Sequence, residues 1–172
     1  MNHRNNLNNQ NPQEHSPSQY IHKRHTVSIL LYHLVCPTKY RRAVVDQAVE
    51  GVLRDVCLDI SNRYEITFLE IGADNDHVHF LIQSVPTYSP TRIARTVKSI
   101  TAREIFRRLP QVKKSKKSLW GSAFWTSGFF ISTVGRHGNE AVIRRYVQGQ
   151  GVEPQYQVLH AQQLDLFDEV GE

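Results

Sequence analysis

The middle of the 172-residue chain reads Asp76-His77-Val78-His79-Phe80-Leu81-Ile82-Gln83-Ser84. Side chains repeat every two residues along a β-strand, so alternation places His77 and His79 on one face of a predicted strand. Val78 and Phe80 then point from the other face into a core. The two histidine Cα atoms would lie about 6.5–7 Å apart, near enough for both imidazoles to reach one divalent ion. An isolated His-x-His more often marks a solvated strand face. Evidence from other parts of the chain is therefore needed to favour a metal site.

The segments around this strand predict an α+β fold. Apolar and β-branched runs predict strands, and apolar residues at helical spacing predict helices. The predicted order is a strand (25–36), a helix (42–63), two strands (65–71 and 77–85), a helix opening at Ser89 and Pro90, a strand (120–134) and a last helix (140–150). This is the ferredoxin-like split βαβ pattern, an antiparallel βαββαβ sheet with an additional C-terminal helix. That helix carries Tyr146.

Composition divides the chain into three parts. Residues 1–22 are rich in Asn, Gln, Ser and Pro, which predicts a disordered polar leader. Residues 23–150 form one domain, for which the 40% apolar content supplies a single core. Residues 151–172 form an acidic tail. No stretch approaches the roughly 18–20 apolar residues of a membrane span, and no signal-peptide layout opens the chain. We therefore expect a cytoplasmic protein with no membrane partner. Cys36 and Cys57 lie in apolar segments, which predicts buried free thiols.

Basic residues concentrate in the body of the chain. Residues 21–146 hold 20 Lys or Arg against 10 Asp or Glu, and the residues after Tyr146 add five acids and no Lys or Arg. Phosphate contacts supply most non-specific affinity for nucleic acids, so this distribution suggests a polyanionic partner. A solvated basic surface is the plainer alternative.

Tyr146 and Gln150 are four residues apart and share one face of the last predicted helix. A phenol can attack a phosphate while an amide oxygen beside it ligates a metal ion, which together suit covalent catalysis. A helical tyrosine more often packs or caps, so this pair alone is also weak evidence.

Four segments taken together resemble the single-tyrosine HUH transposases of small bacterial insertion sequences, the TnpA type. The resemblance spans residues 25–150, and the order and spacing of the segments are specific. They are Tyr32-His33-Leu34-Val35 with Lys39-Tyr40-Arg41-Arg42, the HUH signature His77-Val78-His79, residues 124–135, and Ile143-Arg144-Arg145-Tyr146-Val147-Gln148-Gly149-Gln150.

The resemblance implies a metal-dependent DNA transposase. His77, His79 and Gln150 would ligate Mg or Mn, although the ligand types alone also suit Zn. Tyr146 would be the nucleophile that cuts single-stranded DNA, leaving a 5′-phosphotyrosine and a free 3′-hydroxyl that can later rejoin the DNA. Family members recognise hairpins at the ends of their element, a role expected here of basic residues in two regions. These are Lys39, Arg41 and Arg42 after the first strand, and Arg92, Arg95, Lys98 and Arg103 on the second helix.

Family members are also homodimers with composite active sites, in which the tyrosine helix of one subunit completes the histidine site of the other. The glycines in residues 135–139 supply the loose connection that such an exchange needs. Trp120 and Trp125 could stack on bases, but packing in the core explains them at least as well.

Two rival functions remain. One is a domesticated relative that cuts repeat hairpins in its host genome by the same chemistry, which flanking DNA would distinguish. The other is a catalytically silent nucleic-acid-binding module, because the split βαβ fold also serves RNA binding. Such a module normally displays sheet aromatics rather than histidines, and it would bind without the ion and without Tyr146.

Overall fold

The structure, a computed structural model, describes residues 20–114, 123–135 and 144–145. Its elements are β1 (Ile21–Lys23), β2 (Thr26–Ser28), β3 (Leu30–Pro37), α1 (Gln47–Arg63), β4 (Ile66–Asp74), β5 (His77–Ser84), α2 (Pro90–Arg108), α3 (Pro110–Lys114) and β6 (Phe130–Val134). A 3-10 turn over Lys39–Arg41 follows β3. Within these ranges, no helix combines the length and apolar content that a membrane crossing requires.

Four strands form one antiparallel sheet in the order β4-β5-β3-β6. With α1 and α2 as the two crossovers, this is the predicted βαββαβ arrangement, and the fold class is confirmed. β5 is an inner strand, paired with β4 on one side and with β3 on the other. β1 and β2 form a separate two-stranded sheet.

The helices cover one face of the four-stranded sheet. Val78, Phe80 and Ile82 of β5 point into this layer and are fully buried. α1 and α2 meet them with apolar stripes at helical spacing, and both stripes belong to the same core cluster. The alternation read from the sequence therefore assigns the helix side of β5 correctly, which leaves the histidines on the other face.

Both long helices begin at a capping side chain. Ser89 accepts a hydrogen bond at Oγ from the Arg92 backbone N–H at 3.2 Å, and Pro90 opens α2 as predicted. Asp46 accepts one at Oδ1 from the Val49 N–H at 2.9 Å. The predicted start of the first helix at residue 42 was therefore wrong. Helical periodicity counted the buried Val45, which precedes the cap.

Two strand predictions were longer than the strands observed. The segment predicted as one strand over 25–36 divides between β2 and β3, because Val27 is 59% exposed and has no core to cover. The predicted strand over 120–134 is regular only in β6. Trp125 instead packs edge-on against Phe124 and donates from Nε1 to Thr101 Oγ1 at 2.9 Å. Residues 120–122 lie outside the described ranges.

The boundaries of the tails are only partly described. β1 begins at Ile21, inside the segment predicted as a leader. Residues 1–19 and 151–172 lie outside the described residues, as do Tyr146 and Gln150. Of the last predicted helix, the structure describes Arg144 and Arg145, and both are helical.

Candidate active site

Three histidines meet on the sheet face away from α1 and α2. His77 and His79 come from β5, with ring centroids 4.8 Å apart and ring planes 75° apart. His33 comes from the adjoining strand β3. All three side chains belong to residues that are at most 3% exposed. Inner strands thus hold the imidazoles at fixed spacing, away from bulk water.

Asp76 fixes the orientation of His77. His77 donates from Nδ1 to Asp76 Oδ1 at 2.6 Å, and Arg41 donates from Nε to Asp76 Oδ2 at 2.8 Å. A carboxylate only accepts, so the Nδ1 nitrogen of His77 carries the proton, and a neutral ring keeps its lone pair on Nε2. Burial by itself would raise the pKa of Asp76, but hydrogen bonds from His77 and Arg41 and the charge of Arg41 outweigh it. The pKa of Asp76 is therefore below its ordinary value.

The turn after β3 aims Arg41 at this carboxylate. Tyr40 and Arg41 have φ angles of 58° and 49°, in the left-handed region that costs an L-residue about 1–2 kcal/mol. Thr38 holds both sides of the turn. Its Oγ1 donates to the Arg42 carbonyl at 2.7 Å, and its N–H donates to the Asp76 carbonyl at 2.8 Å. Backbone strain at this position is thus coupled to the orientation of His77.

His33 contacts His79 in a similar way. His33 Nε2 and His79 Nδ1 lie 2.9 Å apart, so one of these two nitrogens donates to the other. The two rings are stacked, with centroids 5.2 Å apart. The edge of Phe130 on β6 borders His33 from the other side. The Nδ1 atoms of His77 and His79 are therefore held by two different groups.

This donor set fits a divalent ion held by imidazole. Metal-binding histidines usually bond their second ring nitrogen to a carboxylate or another acceptor, which fixes the tautomer. Asp76 and His33 occupy those positions here. In the part of the chain that the structure describes, no group of three or more His, Cys, Asp or Glu could hold a metal ion. A third ligand would then be another residue type, a residue outside the described ranges or a residue of a second copy.

Comparison with known families decides the identity. The family described as "Transposase IS200 like" matches residues 26–150, most of the chain. The chain belongs to the IS200-like transposase family. It is a transposase, and membership of this family implies DNA cleavage and strand transfer. The resemblance drawn from the four sequence segments is confirmed.

Several proteins similar to this IS200-like transposase are themselves described as transposases. It is 31% identical over 121 residues to the ISDra2 transposase TnpA of Deinococcus radiodurans, covering 70% of this chain and 84% of that one. The transposase for insertion sequence element IS200 of Salmonella typhimurium is 27% identical over 123 residues, covering 69% and 75%. A crystal structure from Deinococcus radiodurans R1, of a protein assigned as a transposase, superposes with a TM-score of 0.59 at 30% identity, covering 76% and 97%.

The basic residues predicted to bind DNA separate into two groups in this IS200-like transposase. Lys39, Arg41 and Arg42 lie at the histidine end of β3, and Arg41 is engaged with Asp76. The other group lies on α2, in the helix layer on the far side of the sheet. Its members are Arg92, Arg95, Lys98 and Arg103. The two groups therefore belong to different elements of the fold.

A groove of about 640 Å³ runs between α2 and residues 123–129. Arg95 on its rim is exposed. Lys98, by contrast, donates from Nζ to the carbonyls of Ser127 and Gly128 at 2.9 and 2.7 Å, and burial lowers its pKa. Trp125 is 4% exposed, so it packs in the core and is not available for base stacking.

Sequence reasoning did not assign roles to four residues of the histidine face. These are His33, Asp76 and the ion pair of Glu70 with Arg144. Signals were present for two of them, since Asp76 directly precedes His77 and His33 stands in one of the resembling segments. Nothing in the linear sequence pairs Glu70 with Arg144, 74 residues later.

Proposed function

We propose that this IS200-like transposase cleaves and rejoins single-stranded DNA at hairpin-marked element ends through a 5′-phosphotyrosine on Tyr146. His77, His79 and Gln150 would hold a Mg or Mn ion, which when bound supplies Lewis acidity to the scissile phosphate. The support for this proposal is the His77–His79 pair, with each Nδ1 hydrogen-bonded to its own partner. That arrangement leaves Nε2 as the ligating nitrogen of His77, and of His79 when its Nδ1 donates to His33.

The proposed reaction conserves a phosphodiester bond at each step. The Tyr146 Oη–P bond forms as the P–O3′ bond breaks, the phenol gives up its proton and the departing 3′ oxygen takes one. A 3′-hydroxyl then attacks the phosphotyrosine, and the phenol regains a proton as the strand is joined. A free phenol has a pKa of about 10, so the attack needs a phosphate made more electrophilic or a nearby base. Because the bond energy is retained, no nucleotide cofactor is required.

The proposal is tested by incubating the protein with end-labelled single-stranded DNA from the flanks of its own gene, with and without Mg or Mn. We expect a protein–DNA adduct that survives denaturing electrophoresis, requires the ion and is absent in Tyr146→Phe. Tyr40→Phe is the matched control. Tyr40 is 62% exposed and directly precedes Arg41, which contacts Asp76 beside the histidine pair.

Two outcomes would contradict the proposal. An adduct that persists in Tyr146→Phe and disappears in Tyr40→Phe would reassign the nucleophile. A native-gel shift of the same DNA without any covalent adduct, under either metal, would favour the non-catalytic binding module.

A mobile element and a domesticated repeat nuclease share this chemistry, and they differ in whether the cleaved hairpins flank the gene or lie in scattered repeats.

We further propose that the exposed arginines of α2 hold the hairpin. Arg92 and Arg95 lie on the far side of the sheet from His77, so they would bind DNA remote from the scissile phosphate. Arg92→Ala with Arg95→Ala should weaken hairpin binding and lower the salt slope by about 0.9 for each phosphate that is no longer bound. Cleavage of a short strand without a hairpin should not change. Arg63→Ala, an exposed arginine at the end of α1, is the control, and an equal loss there would contradict the assignment.

We also propose a homodimer with composite sites. Light scattering at micromolar concentration should give the dimer mass. Mixing His77→Ala with Tyr146→Phe chains should restore about a quarter of the wild-type activity, because half of the dimers then hold one intact site. No recovery in a mixture shown to exchange subunits would mean that each chain uses its own tyrosine.

A further inference from the structure

Arg144 and Glu70 form a partly buried ion pair on the histidine face. Arg144 donates from Nη1 to Glu70 Oε1 at 2.7 Å, and the two side chains are 15% and 12% exposed. This is the most buried arginine–carboxylate pair that the described residues form. A charge largely removed from water is costly without its partner, so each member of the pair constrains where the other can lie.

A β-bulge is what places Glu70 on this face. Phe68 pairs with Ile82 and Glu70 with Leu81, which leaves Leu69 as an extra residue in β4. If the strands kept a regular register, Leu69 would pair with Leu81 and Glu70 with Phe80. The Glu70 side chain would then point into the core beneath the helices. Bulges occur often beside active sites, where they redirect a side chain.

Glu70 lies close to the metal-binding histidines. Gly72 is the residue of β4 paired with His79, and Glu70 is two residues from it on the same face. Diagonal neighbours of this kind have Cα atoms about 7–8 Å apart. Glu70, and with it the guanidinium of Arg144, therefore lies on the histidine face, one strand away from His79. Arg145 beside it is exposed.

Arg144 is two residues before the proposed nucleophile. Two residues of chain span at most about 7 Å, so a contact that fixes Arg144 limits where the Tyr146 side chain can start. We propose that the Glu70–Arg144 ion pair is a docking contact that positions the tyrosine helix over a histidine face for attack, within one chain as observed here and between the two copies in the proposed composite dimer. This inference rests on the proposed role of Tyr146. Glu70 and Arg144 are positioning residues and need not touch the DNA.

The test compares single and paired charge changes. Glu70→Gln and Arg144→Gln should each lower the rate of adduct formation at saturating DNA by about tenfold to a hundredfold, because misplacing a nucleophile by about 1 Å has effects of this size. The affinities for DNA and for Mn should change by less than about twofold, since neither ligand is bound by this pair. Glu70→Arg combined with Arg144→Glu should recover much of the rate, within one chain or between two copies.

Matched controls come from neighbouring residues. Arg145→Gln removes an adjacent exposed charge, and Glu65→Gln removes an exposed carboxylate that precedes the same strand. Both should leave the rate at saturating DNA unchanged. Equal losses in Arg144→Gln and Arg145→Gln would overturn the inference, as would a double exchange no faster than its single changes. If the wild type forms no adduct, the proposed function fails. If the wild type forms the adduct and Glu70→Gln forms it at the same rate, the docking contact fails and the proposed function stands.

Discussion

The two faces of the four-stranded sheet are built from different chemistry. Towards the helices, β5 presents Val78, Phe80 and Ile82 to an apolar layer in which packing is close and non-directional. Towards the other side, the same strand presents His77 and His79 to partners that bond through specific atoms. One face therefore supplies most of the stability, and the other holds a small number of polar groups in defined orientations.

This difference shows how a strand buried on both sides can carry reactive groups. Buried polar groups must be hydrogen-bonded, or their desolvation is not offset. On the histidine face, Asp76 and His33 satisfy the Nδ1 atoms, and the left-handed turn at Tyr40 and Arg41 supports Asp76. The apolar layer opposite makes that strain tolerable by fixing the strand from beneath.

The largest expected effect is on the histidine face. His77→Ala should lower metal-dependent adduct formation by about a thousandfold, or ~4 kcal/mol in transition-state stabilisation, while the chain remains folded. The measurement is the rate of adduct formation beside a circular-dichroism melt. His25→Ala, an exposed histidine between β1 and β2, should behave as wild type. An active His77→Ala would remove the assigned site.

The converse effect is expected on the helix face. Phe80→Ala should reduce the free energy of unfolding by about 3–5 kcal/mol, because it opens a cavity in a fully packed layer. The fraction that remains folded should cleave DNA at nearly the wild-type rate. Chemical denaturation measures the first and active-site titration the second. If Phe80→Ala lowered the free energy of unfolding by less than Phe80→Leu does, the role given to this layer would be contradicted.

A smaller effect is expected from the partner of His77. Asp76→Asn should weaken Mn binding by about 10- to 100-fold, as measured by calorimetry, because the amide holds the imidazole less firmly. The pKa of Asp76 is depressed in the folded chain, so its contribution to stability is present at neutral pH. That contribution is lost as the pH falls from about 4 through the lower folded pKa. Asp76→Asn should therefore flatten the acid limb of the stability profile, and an unchanged profile would contradict the assignment.

The partner of His79 should show a similar but weaker effect. His33→Leu removes the hydrogen-bond partner of His79 Nδ1 and should weaken Mn binding by about tenfold. His33→Gln can place an amide oxygen near the same position and should retain most of the affinity. If the two variants lose affinity equally, His33 acts through packing alone.

The smallest effect concerns the two thiols. Cys36 and Cys57 are free and buried. Burial raises the pKa of Cys36 to about 12 and also raises the pKa of Cys57, so both remain protonated and unreactive at neutral pH. A thiol reagent should label neither in the native chain and both in denaturant. Rapid native labelling would show that the helix layer opens.

Sequence alone predicted the fold order and the histidine pair, because both depend on local periodicity. Alternation along β5 assigns each side chain to a face without knowledge of any other strand. Residues whose position depends on a distant segment were not predictable in this way. Arg41 is predicted to bind DNA, and no sequence pattern indicated that two left-handed residues would also turn its side chain towards Asp76. Glu70 reaches the histidine face only because of a bulge that no sequence period reveals.

The measurement that tests the central claim most directly is the mass of the DNA-linked peptide. After reaction with single-stranded DNA and Mg, nuclease and trypsin digestion should leave a nucleotide on the peptide that follows Arg145, and fragmentation should place it on Tyr146. Tyr156 is in the same peptide, so Tyr156→Phe serves as the internal control. Attachment at Tyr146, lost in His77→Ala, is the predicted result. Attachment at Tyr156, or the same yield without metal, would contradict the account.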